Sequence, residues 1–345
     1  MTQQTLIQKQ GEVTFRSLIS QQHTGKCSYF QNEFDAPEML AELKNRVVAT
    51  GQNLAKLNEN HISLSPFLEI GAEYCIRSLV LTNKFAAKGV ALDIAQAPLN
   101  SVPFFAKKLG LPQIPKRVCA DAENLPFADN AFTFVFCYQT LHHFPDPKRV
   151  VDEEYRVLKP GGYFFFAEEP VKQILNFDFF KRPTKIKGLS KLLKIFPILP
   201  FISTIGKTET DHDILEAAYN LSEWKRILGT FQNVQVTIST FGYSQTISYS
   251  NRAGSLTPTW WGKLMLFLFG GGIQALTQKP QTKFGQTKLQ NKHFSAWVIC
   301  PNCKRKLGNV FIYNKFKCTG CQEKYLSKNG VLQILTKQLK NNLYG

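Results

Sequence analysis

Short apolar runs alternate with longer amphipathic segments through the first half of the chain. Residues 67–70 lead into a glycine turn, residues 90–92 end on Asp93, and residues 132–137 form a run rich in phenylalanine. Continuous apolar runs of this length are typical of strands that are buried on both faces of a parallel sheet. Because helical segments separate these strands, the pattern predicts an α/β protein with a doubly wound sheet.

The first 60 residues predict a helical cap over this sheet. Asp35 precedes Pro37, and Glu38 follows Asp35 by three positions, which is a typical start of a helix. The apolar residues that follow at helical spacing are Met39, Leu40, Leu43, Val47 and Leu54. We expect these positions to face the core.

The rest of the chain divides by its pattern. We expect the core at residues 61–240, with a helical lid inserted at about residues 171–215. Residues 241–291 are expected to be an insertion. Residues 292–345 are expected to hold the final strand of the sheet, at 293–299, and then a small C-terminal domain.

Polar residues at the strand ends predict a nucleotide-type pocket. Glu69 and Gly71 end the first strand, and a glycine turn into a helix lets a ligand approach the backbone. Asp93 ends the second strand about 20 residues later, as expected for a carboxylate that binds a ribose diol. Asp121 follows the third strand.

Several segments in this region resemble the motifs of class I S-adenosylmethionine-dependent methyltransferases. They are LEIGAE, LDIA, DAENLPFADNAFTFVFC, LHHFPDPKRVVDEEYRVLKPGG and YFFFAEEP. The resemblance is closest to the small-molecule, UbiE-like or "type 11" branch. It implies a Rossmann-like methyltransferase fold, methyl transfer as the activity and S-adenosylmethionine as the cofactor.

The resemblance also implies roles for particular residues. Asp93 would hold the ribose hydroxyls, Asp121 would accept a hydrogen bond from the adenine amino group, and Gly71 would lie by the methionine end. Tyr138 begins the stretch where the methyl group meets its acceptor. The full set implied at the cofactor is Glu69, Gly71, Glu73, Asp93, Asp121, Ala122 and Tyr138.

The glycine turn departs from the family's pattern. Further glycines usually follow the first by two and four residues, and here those positions hold Glu73 and Cys75. A carboxylate there can favour the cationic end of the cofactor, or it can repel the cofactor's carboxylate and fill the site. Two hypotheses follow: an altered turn that still binds the cofactor, and a degenerate pocket that does not.

The candidate catalytic residues are His142 and His143, after the fourth strand. Methyl transfer needs in-line approach of a nucleophile and a group that takes its proton, and imidazole can do the latter. The alternative is that this LHHF segment is only a structural turn. Glu168 and Glu169, at the end of the fifth strand, are candidates for binding substrate hydroxyls.

Two C-x-x-C knuckles near the C-terminus predict a zinc ribbon. The first contains Cys300 and Cys303, the second contains Cys318 and Cys321, and fourteen residues separate them. Four thiolates complete a closed tetrahedral shell, so the expected Zn²⁺ is structural. The segment resembles the small zinc-ribbon partner proteins of tRNA methyltransferases.

The charge of the chain favours an anionic partner. The net charge is +17, and Glu323 is the one acidic residue after Glu223. Residues 181–206 are basic and then apolar, and residues 260–276 are apolar, so a lid and a peripheral contact with anionic membrane are both open. RNA is the rival partner, suggested by aromatic and basic residues at 311–317. No segment is long enough for a transmembrane span, and a cytoplasmic setting is the default expectation.

The leading hypothesis is a methyltransferase that O-methylates a small molecule, such as a sugar or a lipid-linked intermediate. The alternatives are an RNA methyltransferase, which would use the ribbon and the basic surface to bind its substrate, and a non-catalytic binding protein with a degenerate pocket. Cofactor binding separates the last hypothesis from the other two.

Overall fold

The computed structural model describes residues 2–24, 36–182, 199–251, 254–281, 297–307 and 315–345. Most of the predicted basic lid segment, the start of the expected final strand and most of the stretch at 311–317 lie outside these ranges. The helices are α1 Gln3–His23, α2 Ala36–Glu59, α3 Ile76–Lys84, α4 Gln96–Leu109, α5 Pro147–Val157, α6 Leu199–Ile202, α7 Lys207–Thr210, α8 Leu221–Ile227, α9 Trp260–Phe269 and α10 Lys337–Tyr344.

One 11-stranded sheet runs through the molecule, in the order β11-β12-β13-β3-β2-β1-β4-β5-β10-β8-β9. A separate pair, β6 Phe180–Arg182 and β7 Ser203–Ile205, is parallel. The strands of the large sheet are β1 Phe67–Ile70, β2 Gly89–Asp93, β3 Lys116–Cys119, β4 Phe132–Tyr138, β5 Leu158–Val171, β8 Asn233–Thr240, β9 Tyr243–Ser250, β10 Gly271–Gln278, β11 Lys315–Lys317, β12 Lys324–Lys328 and β13 Val331–Gln333.

The central strands have the pairing and burial that a doubly wound sheet requires. Strand β1 pairs in parallel with both β2 and β4, so the chain changes direction of winding between them. On β4, Val135 and Cys137 pack into one buried cluster, whereas Phe134 and Phe136 pack into another. Both faces are therefore covered, and the predicted α/β, Rossmann-like methyltransferase fold is confirmed. Ligands in such sheets bind at the carboxyl ends of the strands beside this switch point.

The sheet position expected for residues 293–299 is taken by an earlier segment. Strand β10 lies antiparallel between β5 and β8. Gly270 has φ +64° and ends α9, so the apolar stretch at 260–276 splits into a helix and a strand. Val298 and Ile299 make isolated bridges, with Phe127 and Lys306. Alternate burial along β10, with Ile273 and Ala275 inward, accounts for this placement.

The C-terminal segment extends the same sheet. Strand β13 pairs in parallel with β3 over three residues. Arg117 of β3 fixes this edge, because its guanidinium donates to the carbonyl oxygens of Leu99 and Asn329 at 2.6 Å and 2.9 Å. Leu332 is 1% exposed and packs in the same cluster as Val118 of the core. The C-terminal strands and the methyltransferase-type core thus share one hydrophobic interior.

The predicted N-terminal cap is a pair of helices. Helix α2 contains the apolar positions expected of it, and Met39, Leu43 and Leu54 are buried. Helix α1 contacts α4 and α10, and α2 contacts α3. Within the part of the chain that the structure describes, no helix is both long enough and apolar enough to cross a membrane.

Truncation of Leu332 to alanine tests whether the C-terminal strands and the core unfold together. We expect Leu332→Ala to lower the free energy of unfolding by about 2–5 kcal/mol, because it opens a cavity in the shared core. Urea unfolding followed by tryptophan fluorescence should show a single transition at lower urea concentration. The matched control is Leu326→Ala on β12, where the side chain is 46% exposed. Equal effects of the two variants would contradict a shared core.

Candidate active site

A cavity of about 500 Å³ lies at the carboxyl ends of β1, β2 and β4. Helices α1 and α2 and the segment 206–216 cover it. Residues from the strand ends and from this cover line it together. Those that carry the arguments below are Lys9, Glu12, Arg16, Arg46, Gly71, Glu73, Asp93, Asp121, Ala122, Tyr138, His142, His143, Glu168, Glu209 and Glu216.

The turn after β1 has a left-handed backbone at three alternate positions. Gly71, Glu73 and Cys75 have φ values of +66°, +47° and +57°. A side chain on Gly71 would meet Thr140 Oγ1 at 2.3 Å, so this position requires glycine. At Glu73 and Cys75 the left-handed conformation costs roughly 1–2 kcal/mol per residue, which the surrounding structure sustains.

Cys75 and Glu73, the two residues that replace glycines, have different environments. Cys75 is completely buried and lies in the core cluster below the turn. Glu73 lines the cavity, and its carboxylate pairs with Arg16 Nη1 at 3.4 Å and Arg46 Nη1 at 3.5 Å. The charge at Glu73 is thus compensated by cations of the helical cap. Its backbone remains available to Asp93.

Asp93 joins the ends of β1 and β2. Its Oδ2 accepts a hydrogen bond from the Glu73 N–H, and its Oδ1 accepts one from the Ala95 N–H, both at 2.8 Å. Burial raises the pKa of Asp93 to about 6, although the two backbone hydrogen bonds oppose the shift. Asp93 thus links the turn after β1 to the residues after β2 and lines the cavity between them.

Glu69 was expected to lie at the cofactor, but its side chain does not line the cavity. Its side chain is buried and accepts hydrogen bonds from the backbone N–H and the hydroxyl of Ser78, at 3.0 Å and 2.5 Å. Burial raises its pKa to about 7, with Arg77 opposing. Glu69 is absent from the cavity lining and instead holds the start of α3.

The opposite end of the cavity contains Asp121 and Ala122. Lys9 of α1 donates to Asp121 Oδ2 at 2.6 Å and pairs with Glu123 at 2.7 Å.

Tyr138 stacks against the guanidinium group of Arg77. The Cζ atom of Arg77 lies 3.9 Å from the centroid of the Tyr138 ring. Arg77 also donates to Glu168 at 3.2 Å.

The candidate catalytic pair forms a short 3₁₀ turn organised by Glu169. The backbone N–H groups of Thr140, Leu141 and His142 donate to the Glu169 carboxylate at 2.7, 2.9 and 3.1 Å. The Nδ1–H of His142 donates to it at 2.8 Å. Burial alone would raise the pKa of Glu169, but the hydrogen bond and charge of His142 and the backbone donors lower it. Glu169 is therefore a structural anchor and is itself fully buried.

Glu216 completes this end of the cavity. Its two oxygens lie 3.6 Å from His142 Nε2 and 3.4 Å from His143 Nδ1. The Nδ1–H of His143 donates to the Leu215 carbonyl oxygen at 2.9 Å. Burial lowers the pKa of His143 to about 4, with His142 adding to the effect.

Sequence reasoning did not identify the cationic and acidic residues of the cover. Lys9, Arg16 and Arg46 come from the cap helices, and Glu216 comes from the end of the segment expected to be a lid. The cap and the lid were expected to lie over the pocket, but nothing in their residue pattern indicates which charges face inward. All four residues line the cavity beside the charged residues of the strand ends.

The four predicted metal-ligating cysteines meet in space. Cys300 Sγ lies 3.5 Å from Cys321 Sγ, and Cys303 Sγ lies 3.5 Å from Cys318 Sγ. All four ligand atoms lie within 4.8 Å of one another. This arrangement fits a tetrahedral four-thiolate centre and is compatible with a small zinc-binding domain.

Comparisons with known proteins agree with this geometry. A family model described as "Methyltransferase domain" matches residues 68–166. A sarcosine/dimethylglycine N-methyltransferase of Halorhodospira halochloris is 28% identical over 134 residues, which are 39% of this chain and 47% of that protein. The ubiquinone/menaquinone biosynthesis C-methyltransferase UbiE of Rickettsia typhi is 29% identical over 244 residues, 68% of this chain and 92% of that protein.

Among solved structures, the YcgJ protein of Bacillus subtilis is similar with a TM-score of 0.41 and 17% identity, covering 68% of this chain and 99% of the other. The chain spans about half the length of the first of the curated relatives. The matched domain and the two curated relatives are all described as methyltransferases. Residues 68–166 of the chain thus match a methyltransferase domain, which supports an enzyme.

Proposed function

We propose that this protein transfers the methyl group of S-adenosylmethionine to an oxygen atom of a small acceptor molecule. The observation that carries the proposal is the turn at Gly71–Cys75, which keeps the glycine-type backbone and presents it to Asp93. In a pocket that no longer binds the cofactor, we would not expect Glu73 and Cys75 to keep an unfavourable left-handed conformation.

The charges of the cavity support a zwitterionic, adenosine-containing ligand. Asp93 would accept from the ribose hydroxyls, and Asp121 would accept from the adenine amino group. Arg16 and Arg46 would pair with the carboxylate of the methionine part, and Glu73 would lie near its ammonium group. When bound, the cofactor supplies an electrophilic methyl group on a sulfonium.

The size of the cavity supports a small acceptor. The cavity has a volume of about 500 Å³, and α1, α2 and the segment 206–216 cover part of it, which would limit the access of water to the methyl group. The predicted catalytic pair, His142 and His143, lines this cavity together with Glu216, where it would meet the acceptor.

A lipid-linked acceptor is favoured by exposed aromatic residues. Phe179, Phe241 and Trp260 are 74%, 78% and 73% exposed. Exposed aromatic groups are used by proteins at surfaces that meet apolar ligands or membranes. A sugar or a lipid-linked intermediate therefore remains the proposed acceptor class.

Alanine at Gly71 tests cofactor binding at the turn. We expect Gly71→Ala to abolish binding of S-adenosylhomocysteine, because the added methyl group collides with Thr140. Isothermal titration calorimetry with zinc-loaded protein measures this directly. The matched control is Gly110→Ala, which has φ +68° but meets nothing within 4 Å. Absence of heat with the unsubstituted protein would overturn the proposed function.

The pH dependence of binding tests the role of Asp93. With its pKa near 6, the carboxyl is ionised at pH 7 and largely protonated at pH 5. If the ionised form alone accepts from the ribose hydroxyls, affinity for S-adenosylhomocysteine should fall by about tenfold between pH 7 and pH 5. Asp93→Asn should bind weakly and lose this pH dependence, whereas an unchanged profile in the variant would assign the titration to another group.

Metal analysis tests the four-cysteine centre. Protein prepared without chelator should contain about one zinc ion per chain, and Cys318→Ser should lose it and unfold at lower temperature, because metal binding contributes folding free energy. Cys137→Ala, which removes a buried thiol from β4, is the control and should retain zinc. A zinc-free native protein would contradict the assignment.

A further inference from the structure

We propose that His142, His143 and Glu216 form a divalent-cation site that holds the oxygen of the acceptor molecule. The inference rests on the proposed function, because the cation would lie in the cavity assigned to the acceptor. Each residue offers one ligand atom, and the three atoms lie within 4.8 Å of one another. Two imidazoles and one carboxylate are a ligand set that zinc and iron(II) commonly use in proteins.

The distance between Glu216 and His142 is that of two ligands around one ion. Oε2 of Glu216 lies 3.6 Å from Nε2 of His142, the ring nitrogen that is free to bind a cation. A direct ion pair between an imidazolium and a carboxylate closes to about 2.7–2.9 Å. Ligands bound at about 2.0–2.1 Å to one tetrahedral ion are separated by about 3.3 Å. A cation therefore fits between these two atoms, and His143 would bind it through Nε2, because its Nδ1–H donates to Leu215.

Glu169 prepares His142 for this role. Since the Nδ1–H of His142 donates to Glu169, its Nε2 is the ring nitrogen that faces Glu216 and the cavity. Histidines that bind metals almost always donate their other N–H to a carboxylate or a carbonyl, which fixes the ring. The Leu215 carbonyl oxygen orients the ring of His143 in the same way.

The carboxylates around the cluster also favour a bound cation. Oε2 of Glu12 and Oε2 of Glu209 are buried and have no hydrogen-bond partner among the described residues. Both side chains line the same cavity as Glu216. Arg16 is the nearby fixed cation, and it already pairs with Glu12 and Glu73. Two orphan carboxylate oxygens beside Glu216 leave an excess of negative charge that a divalent ion would neutralise.

A metal ion explains the cluster better than an ammonium substrate does. An ammonium group brings only N–H donors, which suit the carboxylates. It makes little use of two oriented imidazoles at ligand spacing. A hydroxyl bound to the cation loses its proton more readily. That proton would pass to Glu209 or Glu12, the acceptor oxygen would bond to the methyl carbon, and the carbon–sulfur bond would break to leave the neutral thioether.

Cobalt(II) is a suitable probe for the site. Zinc-loaded protein titrated with Co²⁺ should bind one further ion per chain, measured by calorimetry and by visible absorption. Nitrogen and oxygen ligands give weak bands only, whereas thiolate ligands would give an intense near-ultraviolet band that signals displacement of zinc from the cysteines.

Two substitutions complete the test. Glu216→Gln should weaken Co²⁺ binding at least tenfold, because it removes the charged ligand. The control Glu168→Gln changes another carboxylate of the same cavity, outside the cluster, and should change affinity less than threefold. If Glu216→Gln still binds S-adenosylhomocysteine, the variant is folded. Loss of Co²⁺ binding would then concern the cation site alone and not the proposed cofactor binding. No further Co²⁺ ion, or equal affinity in both variants, would overturn the cation site and leave the cluster as a proton-accepting or amine-binding group.

Discussion

The buried carboxylate of Glu169 organises the acceptor end of the cavity. It stands at the end of β5 and accepts hydrogen bonds from three consecutive backbone N–H groups and one imidazole N–H of the turn after β4. Neutralising or removing it would leave these donors buried without partners, and breaking such a buried charged network typically costs about 3–5 kcal/mol. The same turn places Thr140 against Gly71. One carboxylate therefore fixes both His142 and the wall that Thr140 forms against Gly71.

The helical cap supplies what the sheet lacks. The strand ends present carboxylates, at Asp93, Asp121 and Glu73, and a zwitterionic ligand needs cations as well. Lys9 of α1 reaches Asp121, and Arg16 of α1 and Arg46 of α2 reach Glu73. A bound cofactor would have to share or replace these pairs, because Lys9 already contacts Asp121. The packing of the cap and the binding of a ligand would thus use the same charged groups.

The sequence predicted the parts of the fold whose signals are local. Strands β1, β2 and β4 are continuous apolar runs, and the helix α2 repeats its apolar residues every three to four positions. The pairing of β13 with β3 joins segments more than 200 residues apart, and no local pattern encodes such a pairing. Strand β10 could not be predicted, because the sequence of the helix α9, Gly270 and the strand forms one continuous apolar stretch.

The site was predictable to a similar extent. Asp93 and Gly71 follow apolar strands at known spacing, so their positions at the cavity could be expected. Glu69 follows the same rule, yet its side chain turns to Ser78, because a helix start beside it offers N–H donors. The sequence also gave no sign that Glu73 and Cys75 would keep the glycine conformation. That outcome depends on Asp93, which accepts from the Glu73 N–H and so holds the turn.

The C-terminal segment reaches the same turn region from the other side. Tyr344 of α10 donates to the Ile94 carbonyl oxygen and accepts from the Gln96 N–H, in the residues that follow Asp93. Lys340 of α10 pairs with Glu323, two residues beyond Cys321. The cysteine centre, α10 and the residues that follow Asp93 are therefore connected through a short series of contacts. Strand β13 adds a second connection, because it pairs with β3, and Asp121 follows β3 by two residues.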